Sequence, residues 1–448
     1  MRVIVVGAGK LGYEVARLLS AEDHDIVVVD QREDALSEVA NSLDVLSIQG
    51  NGASPKVLAK AGVDKTDLLI AAAGPDEVNI VACLTAKQRG VPVCAARVRN
   101  ADYLSDDNPA FTHMRFGIDV VVNPERTAAL EITRILKTPT ATQVAYFAGG
   151  RVSLIGLKVD GGAPIVRGPL REIQPQRCVV AAVVRDDKIL IPDGDTVVRP
   201  GDKIYLAGRT GNFAEIRALM GSSARSMRDV VIVGGGRIGL PLAQMLASGQ
   251  RRGMEVKVIE RSPERCAELA AALPGVLVIC GDAEKLEVLR EEMVGGADAF
   301  VAATGDDATN LLSTMAAKQL GVGQAIVALS REDYIPLAER AGADATVVPR
   351  LITASTLLQL ANRYKVESLS LFEEGRAEAV ELVVEAGSRA EGKRLMDLGR
   401  LPGAIVGAVV RRDEVIIPKG QTVVKAGDHL VLFGTVEALE RIQRMFRG

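Results

Sequence analysis

At 448 residues the chain is longer than one ordinary hydrophobic core holds, and length alone predicts about two to four domains. It is 48% apolar yet only 3% aromatic, with no Trp, so its cores are built from Val, Ile, Leu and Ala, as in buried parallel sheets covered by helices. A formal charge of −3 and the absence of a basic stripe argue against nucleic acid as a partner, and no apolar run approaches the roughly 18 residues that span a bilayer.

The chain opens directly on a strand, "VIVV" (3–6), with no signal-peptide pattern, and the expected location is the cytoplasm. Glycines follow in "GAGKLG" (7–12), then a helix, "YEVARLLSAE", and a strand, "DIVVVD" (25–30). The same order returns from "VVIVGGGRIG" (230–239) to "EVKVIE" (255–260). The next stretch, "VLSIQGNGASPKVLAKAGVDKTDLLIAAAGPDEVN" (45–79), is matched by "VLVICGDAEKLEVLREEMVGGADAFVAATGDDATN" (276–310), and "AKQRGV" (86–91) by "AKQLGV" (317–322). Each copy alternates strands with crossovers of helix length, which forces parallel pairing in a doubly wound sheet.

Both copies continue into a helical segment that begins with Pro, "PERTAALEITRILK" (124–137) and "PRLITASTLLQLANRYK" (349–365). After it come short strands separated by Asp-, Gly- and Pro-containing turns. "AAVVRDDKILIPDGDTVVRPGDKIYLAG" (181–208) aligns with "GAVVRRDEVIIPKGQTVVKAGDHLVLFG" (407–434), a mostly antiparallel texture closed by a short amphipathic helix. The predicted order is therefore large, small, large, small. A first nucleotide fold spans 1–123, a crossover helix 124–140 and a small β-rich α+β domain 141–220; a polar linker follows at 221–227. The second half repeats this as 228–348, 349–365 and 366–448. A repeat of roughly 225–231 residues is domain-sized and excludes a solenoid.

The chemistry lies in the glycine loops. Gly7, Gly9 and Gly12 form G-x-G-x-x-G between a strand and a helix, with Asp30 ending the next strand. In that context the pattern reads as a Rossmann-like dinucleotide fingerprint. Gly7 makes the turn, Gly9 admits phosphate to the backbone, Gly12 lets helix and strand close, and the helix N-terminus faces the phosphates. Asp30 accepts from ribose hydroxyls and repels a 2′-phosphate. Ala8 and Leu11 complete the first loop; Gly234, Gly235, Gly236, Ile238 and Gly239, with Glu260, are the equivalents in the second half. Lys10 and Arg237 place a cation on the phosphate side of each loop, or stand as exposed helix-start residues. Asn51 and Asp282 end the third strand of each copy, beside the adenine or ribose, or serve only as turn formers. Ala73-Gly74 and Thr304-Gly305 form the floor of the same crevices. Arg97 is a further phosphate candidate whose counterpart is Ala328, so the halves are not equivalent.

What is missing also informs. Of three histidines (His24, His113, His429) only His113 follows a nucleotide fold, and "LAERAGA" stands in its place in the second half. No Ser-His-Asp set, zinc spacing or Walker-type lysine is present, and the five cysteines show no C-x-x-C, reading as small core residues in a reducing compartment. Nucleotide sites without surrounding chemistry point to sensing rather than catalysis; the alternatives are an NAD-dependent oxidoreductase using His113 and a nucleotide-dependent scaffold.

With "GAGKLG", Asp30 and "QGNG" answered by "GGGRIG", Glu260 and "CGDA", and with two β-rich modules ending "RPGDKIYLAG" and "KAGDHLVLFG", the whole chain resembles the regulators of potassium conductance. In its double form it is similar to the peripheral nucleotide-binding subunits of Trk-type potassium-uptake systems. The resemblance implies a non-enzymatic protein that binds NAD(H), and ATP or ADP. It implies a homo-oligomer, a tetrameric ring, at the cytoplasmic side of the inner membrane, on a membrane-embedded potassium-translocating subunit. It also implies a divalent-cation role for an acidic residue opening the helix after the nucleotide fold. Glu125 fits that position and Arg350 does not.

Overall fold

The computed structural model describes the chain except residues 22–23, 104–115, 139, 187, 222–226, 249–253, 363–366, 400 and 448. The expected linker at 221–227 lies largely outside the described residues. The chain divides into two compact units, Met1–Thr127 with Pro349–Arg363, and Ala128–Val348 with Tyr364–Gly448.

In the first unit, β1 (Arg2–Val6), β2 (Asp25–Asp30), β3 (Leu46–Gln49), β4 (Leu68–Ala71), β5 (Val93–Arg97) and β6 (Val120–Val122) form one sheet in the order β3-β2-β1-β4-β5-β6. Every pairing is parallel. The apolar run Val3–Val6 and the whole of β4 are buried, the pattern of strands covered on both faces. The order reverses between β1 and β4, so the loops after these two strands flank a crevice at the carboxyl edge, where doubly wound sheets bind ligands. Helix Pro349–Asn362, from the second half of the sequence, packs on helix Lys10–Ser20 and joins this unit.

The second unit holds three sheets. The first small domain contributes β7 (Ala141–Phe147), β8 (Val152–Lys158), β9 (Cys178–Arg185), β10 (Lys188–Leu190) and β11 (Lys203–Arg209), all antiparallel. The second nucleotide fold follows as β12 (Asp229–Val233), β13 (Glu255–Glu260), β14 (Leu277–Cys280), β15 (Ala299–Ala302), β16 (Gln324–Ala328) and β17 (Ala345–Val347). It is parallel throughout and ordered as in the first fold. The last sheet is antiparallel: β18 (Ser368–Phe372), β19 (Ala377–Val383), β20 (Ala404–Arg411), β21 (Glu414–Ile416) and β22 (His429–Thr435).

The two small sheets share one core. Tyr205, Phe372 and Phe433, each fully buried, meet with ring centroids 5.1–5.6 Å apart. Across the same seam the Tyr205 hydroxyl donates to Glu373, Gln143 Nε2 donates to the Leu371 carbonyl at 3.1 Å, and the Ala148 amide donates to the buried Glu381 carboxylate at 2.7 Å. The second nucleotide fold packs on first-half residues as well: Thr133 Oγ1 lies 3.8 Å from Met245 Sδ, and Gln324 Nε2 donates to the Ala141 carbonyl at 2.9 Å.

Each small sheet is pinned by the same ion pair. Asp202, 3% exposed, accepts from Arg185 Nε and Nη2 at 2.8 and 2.7 Å and from the Arg199 amide. Asp428 does so from Arg411 and the Lys425 amide. Burial alone would raise the Asp202 carboxyl, but the Arg185 and Arg199 donors outweigh it and hold it below the usual carboxylate range. A lowered native pKa stabilises above the unfolded value of about 4 and loses that contribution as pH falls below it. We therefore expect the stability of wild type to urea to fall between pH 7 and pH 3 more than that of Asp202→Asn. Since Arg185 keeps some exposure to water, Asp202→Ala should cost about 1–3 kcal/mol at pH 7. Equal acid sensitivity of the two proteins would dissociate this pair from acid stability.

Candidate nucleotide site

The first loop leaves β1 through Gly7, whose φ of +103° and close approach to Ala73, 2.7 Å from where a Cβ would stand, admit only glycine. A Cβ on Gly12 would lie 1.8 Å from the Gly7 carbonyl oxygen, so helix and strand close as the spacing predicts. A Cβ on Gly9 would meet nothing within 4 Å, and that open space lies at the N-cap of helix Lys10–Ser20, which no side chain caps and whose first turn holds no acid. Unpaired N–H groups beside free volume make a phosphate cradle. Lys10 is exposed at the first helical position. A cation there opposes the helix dipole and is favoured only when an anion joins it. In the second half Gly234 (φ +93°), Gly236 and Gly239 show the same three environments, with Arg237 exposed.

The two ribose-side carboxylates are held by backbone. Asp30 Oδ2 accepts from the Ala8 amide at 2.6 Å and Oδ1 from the Arg32 amide at 2.9 Å. Glu260 accepts from the Gly235 amide at 2.9 Å and from the Arg261 and Ser262 amides at 2.8 and 3.0 Å. Each carboxylate is thus fixed against its own glycine loop, with acceptor capacity left for a ribose hydroxyl. Asn51 and Asp282 are turn formers here, accepting from the Ala53 and Glu284 amides.

At the crevice floor the sequence reading missed a pair of residues. Asn79, wholly buried, accepts from the Ala73 amide at 2.8 Å and donates at 2.9 Å to both the Ala73 and Arg97 carbonyls. Asn310 likewise joins Thr304 to the Ala328 carbonyl. These clamps tie the ends of neighbouring strands beneath Ala73-Gly74 and Thr304-Gly305. The available signal was the asparagine shared by "PDEVN" and "DDATN". Arg97 is buried and reaches the same floor, its Nη2 donating to the Ala73 carbonyl and, at 2.7 Å, to the Gly74 carbonyl. Ala328, its counterpart, brings no charge, so the two crevices differ electrostatically.

Glu125 lies at the start of its helix with Oε1 3.0 Å from Arg99 Nε. No group of three His, Cys, Asp or Glu side chains that could hold a metal is found among the described residues. One arginine-paired carboxylate does not fit a cation held by this chain alone. His113 lies outside the described residues. His24 sits near the N-terminal amine, and His429 is paired with Glu381 at 2.7 Å, so neither reaches a crevice.

Residues 3–124 and 230–349 match the TrkA-N domain family, and 154–221 and 379–447 the TrkA-C domain family. The chain is 37% identical over 448 residues to a Trk system potassium uptake protein TrkA homolog of Archaeoglobus fulgidus, with 100% of both chains covered. It is 35% identical to the Trk system potassium uptake protein TrkA of Haemophilus influenzae, covering 100% of this chain and 99% of that one. Among solved structures, the GsuK RCK domain superposes with a TM-score of 0.61 at 22% identity, covering 99% of this chain and 94% of that one. A GsuK channel bound to NAD gives 0.61 at 22% identity, covering 99% and 78%. At that identity the likeness shows the fold. No helix among the described residues is long and apolar enough to cross a membrane.

Proposed function

The chain belongs to the TrkA family of Trk-system potassium-uptake proteins, and on that premise we propose that it is a nucleotide-sensing regulatory subunit. It binds NAD(H), ADP or ATP in its two crevices and acts, as a homo-oligomer on the cytoplasmic face of the inner membrane, on a potassium-translocating membrane protein. The observation that carries the reading is the pairing, in each half, of open space in the glycine loop with a backbone-fixed carboxylate: Gly9 with Asp30, and Gly236 with Glu260. Gly7–Gly12 and Gly234–Gly239 take the phosphates; Asp30 and Glu260 take the ribose. Ala73, Gly74, Thr304 and Gly305 form the floor, and Lys10, Arg97 and Arg237 meet added phosphate. Asn51 and Asp282 shape the adenosine end. Glu125 serves through its pairing with Arg99.

Regulation follows from differential affinity. A nucleotide shifts a two-state subunit only as far as it binds one state better than the other. Arg97 supplies one source of difference, since a bound phosphate competes with the Ala73 and Gly74 carbonyls for its guanidinium.

The test is calorimetry with ADP, ATP, NAD and NADH. Asp30→Ala and Glu260→Ala should each weaken binding in their own half by roughly 10–100-fold, the loss of hydrogen bonds to a charged acceptor. Lys10→Ala should weaken ADP and ATP more than it alters folding. Wild type that binds none of the four better than millimolar overturns the reading.

A further inference from the structure

Four of the five cysteines are buried, as the composition suggests, but Cys280 is exposed, and it does not stand alone. It ends β14 in register with Glu260, the ribose-side carboxylate of the second crevice. Cys266, on helix Pro263–Ala272, donates its thiol to the Glu260 carbonyl at 3.4 Å. The two thiols flank the same residue, Cys280 from the neighbouring strand and Cys266 from the helix that packs on that strand. Leu36 and Gln49 occupy these positions in the first half, so the pair belongs to the second crevice alone.

We propose that Cys266 and Cys280 are a redox-active dithiol whose oxidation to a disulfide remodels the ribose end of the second nucleotide crevice. The oxidant class is a peroxide. The Cys280 sulfur attacks the O–O bond, giving a sulfenic acid and one water; the Cys266 sulfur then attacks the sulfenic sulfur, closing the S–S bond and releasing a second water. Two thiol protons and two electrons leave the protein, and the peroxide is reduced to two waters. The order follows from the environments. Cys280 is exposed to an oxidant in solution and Cys266 is buried behind it, so the first attack falls to Cys280; burial and the Cys280 thiol also push the Cys266 thiol up to about 11. Bond formation removes the S–H donor from the Glu260 carbonyl and ties helix Pro263–Ala272 to β14, on either side of the residue that the Gly235, Arg261 and Ser262 amides hold. Cys83 and Cys94 also neighbour one another, but both are wholly buried, away from any oxidant in solution.

The experiment treats the reduced full-length protein with hydrogen peroxide, alkylates it with N-ethylmaleimide and maps the peptides without reduction. The expected product joins 266 to 280, is reversed by dithiothreitol and is absent in Cys280→Ser, while Cys83, Cys94 and Cys178 alkylate only after unfolding. Hydrogen exchange at the amides of Gly235, Arg261 and Ser262 should change on oxidation in wild type and not in Cys280→Ser. No 266–280 cross-link, or a cross-link that leaves those amides unchanged, overturns the proposal. Its consequence for ligand rests on the nucleotide reading: in an Asp30→Ala background, oxidation should lower ADP affinity by roughly tenfold. Failure of the reduced Asp30→Ala protein to bind ADP counts against nucleotide binding in the second half, and the cross-link and exchange results still decide the redox proposal.

Discussion

Gly12→Ala is expected to destabilise the first unit by about 3 kcal/mol or more, lowering its melting transition by roughly 6–12 °C, whereas Gly9→Ala should melt as wild type. The added methyl on Gly12 would stand 1.8 Å from the Gly7 carbonyl oxygen, a backbone atom that moves only if the loop moves with it. Gly7 is held in turn, its amide donating to the Val29 carbonyl at 2.7 Å. The methyl on Gly9 meets no protein atom, so its cost falls on the ligand: it fills the space at the helix N-terminus and should weaken nucleotide binding by tenfold or more without a folding defect. Scanning calorimetry and titration on the same two proteins separate the effects. Gly9→Ala that binds nucleotide as wild type does would remove phosphate from that space.

A second large effect is expected at Asn79. Asn79→Ala strips the half-buried Ala73 amide of its acceptor and the buried Arg97 carbonyl of a donor. Each orphaned buried group costs about 1–3 kcal/mol, so we expect a loss near 3–4 kcal/mol in urea unfolding. Arg97 rests on the carbonyls this side chain positions, and nucleotide affinity in the first half should fall with it. Asn79→Asp keeps the acceptor for Ala73 but sets a carboxylate against two carbonyl oxygens, and should be no milder. If Asn79→Asp restores wild-type stability, the amide donors contribute nothing and the clamp is misassigned.

Both predictions rest on residues of different legibility. Gly12 could be read directly, because the fingerprint spacing states a local steric fact: helix and strand touch where the third glycine stands. Asp30 and Glu260 were equally plain, each ending the strand after a glycine loop. Asn79 and Asn310 were not, since a buried amide one turn into a helix looks like any polar helix residue until the strand ends above it are known. Arg97 was found as a charge, but its approach to the Ala73 and Gly74 carbonyls depends on β4 and β5 being neighbours. Composition alone puts Cys280 in the core, because it does not distinguish a strand's last residue from its middle.

By itself the sequence determined the duplication, the alternation of parallel and antiparallel modules, the two glycine loops with their carboxylates, and the asymmetry of Arg97 against Ala328. Those features are local or periodic, written within a few residues of where they act. Only the tertiary structure decided which surfaces bury one another. Helix Pro349–Asn362 packs on helix Lys10–Ser20 of the other half's nucleotide fold, and the two small sheets close on one aromatic core at Tyr205, Phe372 and Phe433. An apolar helix face or sheet face states that it must be covered but not by what. In a duplicated chain each face has two near-identical candidate partners, and packing complementarity over long sequence separation makes the choice.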